Sequence, residues 1–305
     1  MMKCLVIGYG SIGKRHAQIL KNLGCDVALV TAQKTEDFDC YATVEDALKN
    51  ITVDYVVIAN ATHLHYSTLL SLILCNYQNK VLVEKPLFSS LEQLPENKIS
   101  HIFVAYNLRF NELLIEAKNR IENEKLVTFS AYVGQYLPTW RKDTDYRDCY
   151  SAKKEFGGGA LRDLSHELDY TTWFCGPSID VTAVGGQFSE LEINSDDVYS
   201  IIMRCTSCPV VNLQLNYLDR FTRREITINT QRDTLFLDLM KGTLSINGET
   251  IMQCPDARAK SYIYQHQAIL NNDFQACCTY EDGLYVMKLI NSIESATHSR
   301  SWMTV

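Results

Sequence analysis

The stretch Lys3-Cys4-Leu5-Val6-Ile7-Gly8-Tyr9-Gly10-Ser11-Ile12-Gly13-Lys14-Arg15-His16 decides the fold. Lys3–Ile7 is a short apolar run that reads as a buried strand. Ser11–Leu23 reads as a helix, with Ser11 able to cap its start and Gly24 placed to end it. Between them, Gly8, Gly10 and Gly13 have the spacing of a turn built around a diphosphate. Gly8 permits the tight turn, Gly10 lets a pyrophosphate approach the backbone, and Gly13 lets helix and strand pack closely. The helix start, Ser11, Ile12 and Gly13, offers N–H groups and a partial positive charge to the phosphates. The start of the chain reads as this first strand and not as a signal peptide, because its apolar run stops at a glycine turn.

Working outward, strand and helix continue to alternate. Strands are read at Asp26–Val30, Tyr55–Ala59, Lys80–Val83 and Ile102–Tyr106, and helices at Val44–Lys49 and Tyr66–Asn76. Strands that are apolar throughout and separated by helices indicate a parallel sheet covered on both faces. The pattern changes after the amphipathic helix Asn111–Asn123. Strands with hairpin-type breaks follow at Leu126–Val133, Val181–Phe188, Tyr199–Arg204, Val210–Tyr217, Glu225–Thr230, Thr234–Asp238 and Thr243–Ile246. Helices are read from about Leu161, over Ile263–Cys277 and over Asp282–His298. The fold class is therefore an α/β Rossmann domain with a doubly wound parallel sheet, followed by an α+β domain with a mostly antiparallel open sheet. The expected domains are residues 1–118, binding a dinucleotide, and 119–305, binding substrate and serving oligomerisation.

The tip of the second strand bears on which dinucleotide is bound. A site for NAD usually places Asp or Glu there, on the ribose 2′-hydroxyl. Here Val27-Ala28-Leu29-Val30 runs into Thr31-Ala32-Gln33-Lys34 with no carboxylate at the tip. Thr31 and Gln33 can hydrogen-bond a 2′-phosphate, Lys34 can offset its charge, and Arg15 is a more distant candidate. On these residues NADP(H) is expected in preference to NAD(H).

Composition excludes several classes. A net charge of −7 argues against a nucleic-acid surface, and no apolar run is long enough to span a membrane. The eleven cysteines are an odd number, irregularly spaced and mostly inside apolar runs, which suits reduced thiols in the cytoplasm. Cys205-Thr206-Ser207-Cys208 has C-x-x-C spacing but lies between two strand-like runs. It reads as a hairpin turn, and no metal site is expected.

Four linked motifs resemble the Gfo/Idh/MocA family, named for glucose–fructose oxidoreductase and inositol dehydrogenase. They are Gly8–Gly13 with Lys14-Arg15-His16; Asn60-Ala61-Thr62-His63-Leu64-His65; Glu84-Lys85-Pro86 after a strand; and Gly157-Gly158-Gly159-Ala160-Leu161-Arg162-Asp163-Leu164-Ser165-His166-Glu167-Leu168-Asp169. Their order runs through both domains. The resemblance implies a nicotinamide-dependent oxidoreductase in which Asn60, Thr62, His65, Glu84 and Lys85 border the cofactor. It implies that Lys85 is the acid/base of hydride transfer, with His166 and Asp163 as further catalytic or substrate-binding groups. Burial and a nearby cation, such as an oxidised nicotinamide, both favour the neutral amine that accepts a proton. One departure concerns Asp163 and His166. They stand three apart where many members have four, a spacing that still shares one helix face.

Trp140, Arg141, Tyr146, Arg147 and Tyr150 mix aromatic faces, hydroxyls and guanidinium groups just before the glycine triplet, as a site for a sugar ring or carboxylate requires. The triplet itself leaves room for backbone to approach a ligand. This region, with Ser165-His166-Glu167-Leu168-Asp169-Tyr170 and Leu191-Glu192-Ile193-Asn194-Ser195-Asp196-Asp197, is similar to a branch of the family associated with bacterial surface-sugar pathways. The expected substrate is a sugar, sugar acid or nucleotide-linked sugar, and the expected assembly a homodimer or homotetramer. Two alternatives stay open on the resemblance: a redox glycoside hydrolase holding NAD, and a non-catalytic dinucleotide-binding regulator.

Overall fold

β1 (Lys3–Ile7) leads into α1 (Ser11–Asn22), β2 (Asp26–Val30), β3 (Asp39–Tyr41), α2 (Val44–Asn50), β4 (Tyr55–Ile58), α3 (His65–Leu74), β5 (Lys80–Val83) and β6 (His101–Val104). The computed structural model describes residues 1–141 and 144–305. The strands β6-β5-β4-β1-β2-β3 lie in that order, and every pairing among them is parallel. The order reverses direction at β1, where ligands of open α/β sheets bind outside the strand C-termini. Leu5, Val6, Val56, Val57, Val81 and Leu82 are fully buried, which is why these strands read as unbroken apolar runs.

The chain continues through α4 (Glu112–Ile121), β7 (Leu126–Gly134), α5 (Ala160–Asp163) and α6 (His166–Cys175). Strands β8 (Ser178–Gly186), β9 (Val198–Cys205), β10 (Cys208–Asn216), β11 (Arg223–Thr230), β12 (Thr234–Asp238), β13 (Thr243–Ile246) and β14 (Glu249–Gln253) follow. Last come α7 (Ala257–Leu270), β15 (Cys278–Thr279), α8 (Tyr280–Ser299) and β16 (Met303–Thr304). The second sheet has the order β14-β13-β12-β11-β7-β10-β9-β8-β16. Its pairings are antiparallel except β7 with β10, which run parallel and so deliver their C-terminal ends to one edge. The α/β plus α+β reading therefore holds. Thr206 and Ser207 form the turn between β9 and β10, so the C-x-x-C is a hairpin.

Packing divides the chain into one unit of Met1–Asn107 with Tyr262–Leu284 and another of Leu108–Ser261 with Tyr285–Val305. α7 differs from its sequence reading over Ile263–Cys277. Asn272, at a φ of 60°, turns the chain left-handed just past its end, a conformation asparagine takes more readily than most residues. The segment after it then forms β15 beside β6. β3, β14, β15 and β16 were not expected. They are two to five residues long and largely exposed, and carry no apolar alternation to announce them.

Candidate active site

In the first unit the C-terminal ends of β1, β4 and β5 carry three of the motifs. Gly8 has a φ of +97°, donates its N–H to Val30 O at 2.9 Å, and would drive a Cβ to 2.6 Å from Asn60 N. A Cβ on Gly13 would stand 2.1 Å from Gly8 O, whereas one on Gly10 would meet nothing within 4 Å. α1 thus begins with open space over Gly10, no side-chain cap and no acidic residue in its first turn. An uncapped helix start of this kind fits a pyrophosphate, and Ser11, Ile12 and Gly13 are the residues that would hold it. Asn60 supports the fit. Its Nδ2 donates to Thr68 Oγ1 at 2.8 Å, while its buried Oδ1 has no partner among the described residues.

His65 is buried at the start of α3, close behind Thr62, with its ring between three carbonyls. Nδ1 lies 3.2 Å from Pro86 O and 3.1 Å from Leu87 O, and Nε2 lies 3.2 Å from Asn60 O. Burial holds its basicity below that of an ordinary histidine. It clips the loop after β4 to the turn after β5. Glu84 is buried at the head of that turn. Oε1 accepts from His16 Nε2 at 2.8 Å and Oε2 from Lys85 N at 3.1 Å. Burial alone would raise its carboxyl, but the hydrogen bond and charge of His16 outweigh it, and the carboxyl lies below the usual range. Lys85 is half-buried and joined to Pro86 by a cis peptide bond.

The second unit gathers residues from the parallel pair β7 and β10. Leu137 N donates to Tyr217 O at 3.0 Å, so the turn after β7 runs beside the end of β10. The Trp140 ring meets the Tyr217 ring edge-on, with centroids 5.1 Å apart. Tyr217 Oη donates to Asp163 Oδ2 at 2.7 Å. Burial, followed by the Asp163 charge, pushes both the Tyr217 and the Tyr150 phenol well above their ordinary range, so each stays protonated. The Arg141 guanidinium lies 5.4 Å from the centroid of the Tyr150 ring. Trp140, Arg141 and Tyr146 line a cavity of about 10 Å³ together with Leu137, Thr144 and Cys149, room for about one water. Arg147 is exposed and held in ion pairs with Asp145 at 2.5 Å and Glu192 at 2.7 Å.

Asp163 and His166 do not share one continuous helix. Asp163 ends α5 and His166 begins α6, with Leu164 and Ser165 between them in a tightened turn. Both are buried. α6 keeps its charges inside by pairing them. Asp169 accepts from Arg109 Nη2 at 2.8 Å, and Glu167 pairs with Arg224 at 2.8 Å. The glycine triplet serves packing within this unit. A Cβ on Gly158 would stand 2.1 Å from Tyr150 O, and one on Gly159 would stand 2.3 Å from Asp196 Oδ1. Asp196 Oδ2 caps α5 through Leu161 N at 2.9 Å, and burial pushes its carboxyl up to about 6. Tyr217 was missed from sequence, since it lies tens of residues from Asp163 and in no local motif; Asp196 falls in the Leu191–Asp197 stretch, but its contact with the triplet was not read.

A Rossmann sheet with an open glycine turn at its strand edge is the fold of a dinucleotide-binding protein. The chain belongs to the GFO/IDH/MocA family. Residues 2–99 match its "Oxidoreductase family, NAD-binding Rossmann fold" domain, and residues 114–236 match its C-terminal domain. Comparison with curated proteins gave no match. Among solved structures, the WlbA dehydrogenase from Bordetella pertussis in complex with NADH and UDP-GlcNAcA is similar at 17% identity and a TM-score of 0.84, over 100% of this chain and 97% of that one. Levoglucosan dehydrogenase in complex with NADH gives 16% and 0.83 over 100% and 99%, and GenD2 from gentamicin A biosynthesis in complex with NAD gives 19% and 0.82 over 100% and 96%.

The expected preference for NADP(H) is overturned. The matched domain is described as NAD-binding, and these similar structures hold NAD or NADH. Of the residues that suggested a 2′-phosphate, Arg15 stacks on the Tyr262 ring at 4.9 Å and Lys34 is outweighed. Lys34 stands exposed in a segment that also carries Glu36, Asp37 and Asp39, a balance that repels added negative charge. No described helix is long and apolar enough to cross a membrane, and all eleven cysteines are free thiols.

Proposed function

We propose that this chain is an NAD-dependent dehydrogenase or reductase acting on a CH–OH/C=O group of a sugar, sugar acid or nucleotide-linked sugar. The observation that carries this reading is Lys85 at the strand edge that also bears the open Gly10 turn and Asn60, whose Oδ1 has no partner among the described residues. Bound NAD supplies the hydride acceptor or donor. Gly8, Gly10, Ser11, Ile12 and Gly13 hold its diphosphate, while Asn60, Thr62, His65 and Glu84 shape the loops around it. Lys85 takes the hydroxyl proton on oxidation and returns it on reduction, a role typically worth ~10²–10⁴ in rate.

Substrate recognition falls to the second unit. Asp163 accepts from the neutral Tyr217 phenol, which orients its carboxylate as an acceptor for a sugar hydroxyl. His166 binds the reacting oxygen, and Trp140, Arg141 and Tyr150 offer aromatic faces and a guanidinium. The sugar class is also supported by the levoglucosan and UDP-GlcNAcA named with similar structures. The free thiols support a cytoplasmic site of action. Val184, Ile202, Val210 and Phe236, exposed on strands of the second sheet, support a homodimer or homotetramer. The test is a panel of sugars, sugar acids and nucleotide sugars incubated with NAD or NADH, read by nicotinamide absorbance. Net, substrate-dependent redox turnover is expected. Turnover of a glycoside with no net change in NAD would contradict the reading.

A further inference from the structure

Four buried polar side chains of the first unit lie in one line. Tyr55 Oη is 3.1 Å from His266 Nδ1, His266 Nε2 is 2.7 Å from His16 Nδ1, and His16 Nε2 is 2.8 Å from Glu84 Oε1. Glu84 Oε2 then accepts from the Lys85 N–H at 3.1 Å. Tyr55, His16 and His266 have no exposed surface, and Glu84 is 8% exposed. They come from four elements: β4, α1, the turn after β5, and α7.

The chemistry fixes most of the proton positions. A carboxylate only accepts, so His16 Nε2 carries the hydrogen that faces Glu84. Burial, then the neighbouring His16, holds His266 well below ordinary histidine basicity, and burial holds the Tyr55 phenol well above its range. With the His266 ring neutral and the Tyr55 phenol donating to it, one arrangement satisfies all three bonds. Tyr55 donates to His266, His266 to His16, and His16 to Glu84. Such a chain is costly to interrupt, because a buried polar group left without its partner has neither protein nor water to bond.

We propose that His16 and His266 are positioning residues for Lys85, holding the Glu84 carboxylate against the Lys85 N–H and tying the Lys85 turn to the helix that cradles the dinucleotide. His16 stands on α1 one helical turn after Gly13. The array therefore fixes the acid/base turn relative to the phosphate-binding turn within one unit. Its catalytic meaning rests on the reading of Lys85 given above.

The experiment uses the full chain with NADH bound. Amide hydrogen exchange of the segment carrying Lys85 is compared in wild type, His16→Leu, His16→Gln and Tyr55→Phe. His16→Leu should speed exchange at Lys85 and lower kcat by about 10-fold or more while the NADH Kd holds. His16→Gln keeps an N–H donor for Glu84 and should recover most of both. Tyr55→Phe removes only the far end of the chain and should have the smallest effect. ¹⁵N NMR of the wild-type imidazoles, which needs no variant to fold, should show His16 protonated at Nε2. A bare His16 Nε2 overturns the array. So does a His16→Leu enzyme with wild-type exchange at Lys85, or one that loses only NADH affinity and thermal stability. If Lys85→Met keeps full turnover, the reading of Lys85 fails instead, and the exchange and NMR results still decide the array.

Discussion

The two units build their sites in opposite ways. In the first, the site residues sit in short contiguous motifs at strand ends: Gly8–Gly13, Asn60–His65 and Glu84–Lys85. Sheet geometry alone brings them together, because parallel strands deliver all their C-termini to one edge. In the second, Asp163 depends on Tyr217 from the end of β10, and the glycine triplet packs on Tyr150 and Asp196. Only the whole fold supplies these partners. A motif-built site is vulnerable at its glycines, whereas an assembled site is vulnerable at its partners.

That contrast is sharpest at the phosphate turn. Gly13→Val should abolish measurable NADH binding, a loss of more than ~10²-fold, because a side chain there collides with Gly8 O. Calorimetric titration with NADH is the check, and near wild-type affinity would break the claim that this turn holds the diphosphate. Tyr217→Phe tests the second site. It removes one donor to Asp163 and should lower kcat/KM by about 10-fold with NADH affinity unchanged. An equal loss of NADH affinity would show that the two sites are not separable in this way.

The sequence made the first site legible because its information is local. The parallel sheet followed from apolar runs alternating with helices, and the second sheet from hairpin breaks. What it hid was long-range. Nothing around Tyr262–Leu284 marks its return to the first unit, and nothing near His266 marks a partner of His16, 250 residues away. The same limit misled the cofactor reading. With no acid at the β2 tip, Arg15 looked available, and only the fold shows it stacked on Tyr262. Accordingly, NADH should bind about 10-fold or more tightly than NADPH. Equal affinities in parallel fluorescence titrations would contradict the corrected reading.

Asp196 gives the smallest effect, one specific to the second unit. Its carboxyl is raised to about 6 by burial, so the folded protein holds that proton more tightly than the unfolded chain. Ionising it costs the folded state nothing below the unfolded value of about 3.9. The cost grows as pH rises toward 6 and is constant above. Asp196→Asn should therefore stabilise by about 1–2 kcal/mol at neutral pH, and the gain should vanish on acidification. Urea unfolding across that range is the check, and a gain independent of pH would rule out this cause.

The central claim, that Lys85 moves the proton while NAD carries the hydride, is tested most directly by Lys85→Met. Once the sugar panel has supplied a substrate, NADH affinity and kcat are measured on the same preparation. NADH should bind as in wild type while kcat falls by roughly 10²-fold or more. A Lys85→Met enzyme that turns over at the wild-type rate would remove Lys85 from the chemistry and contradict the account.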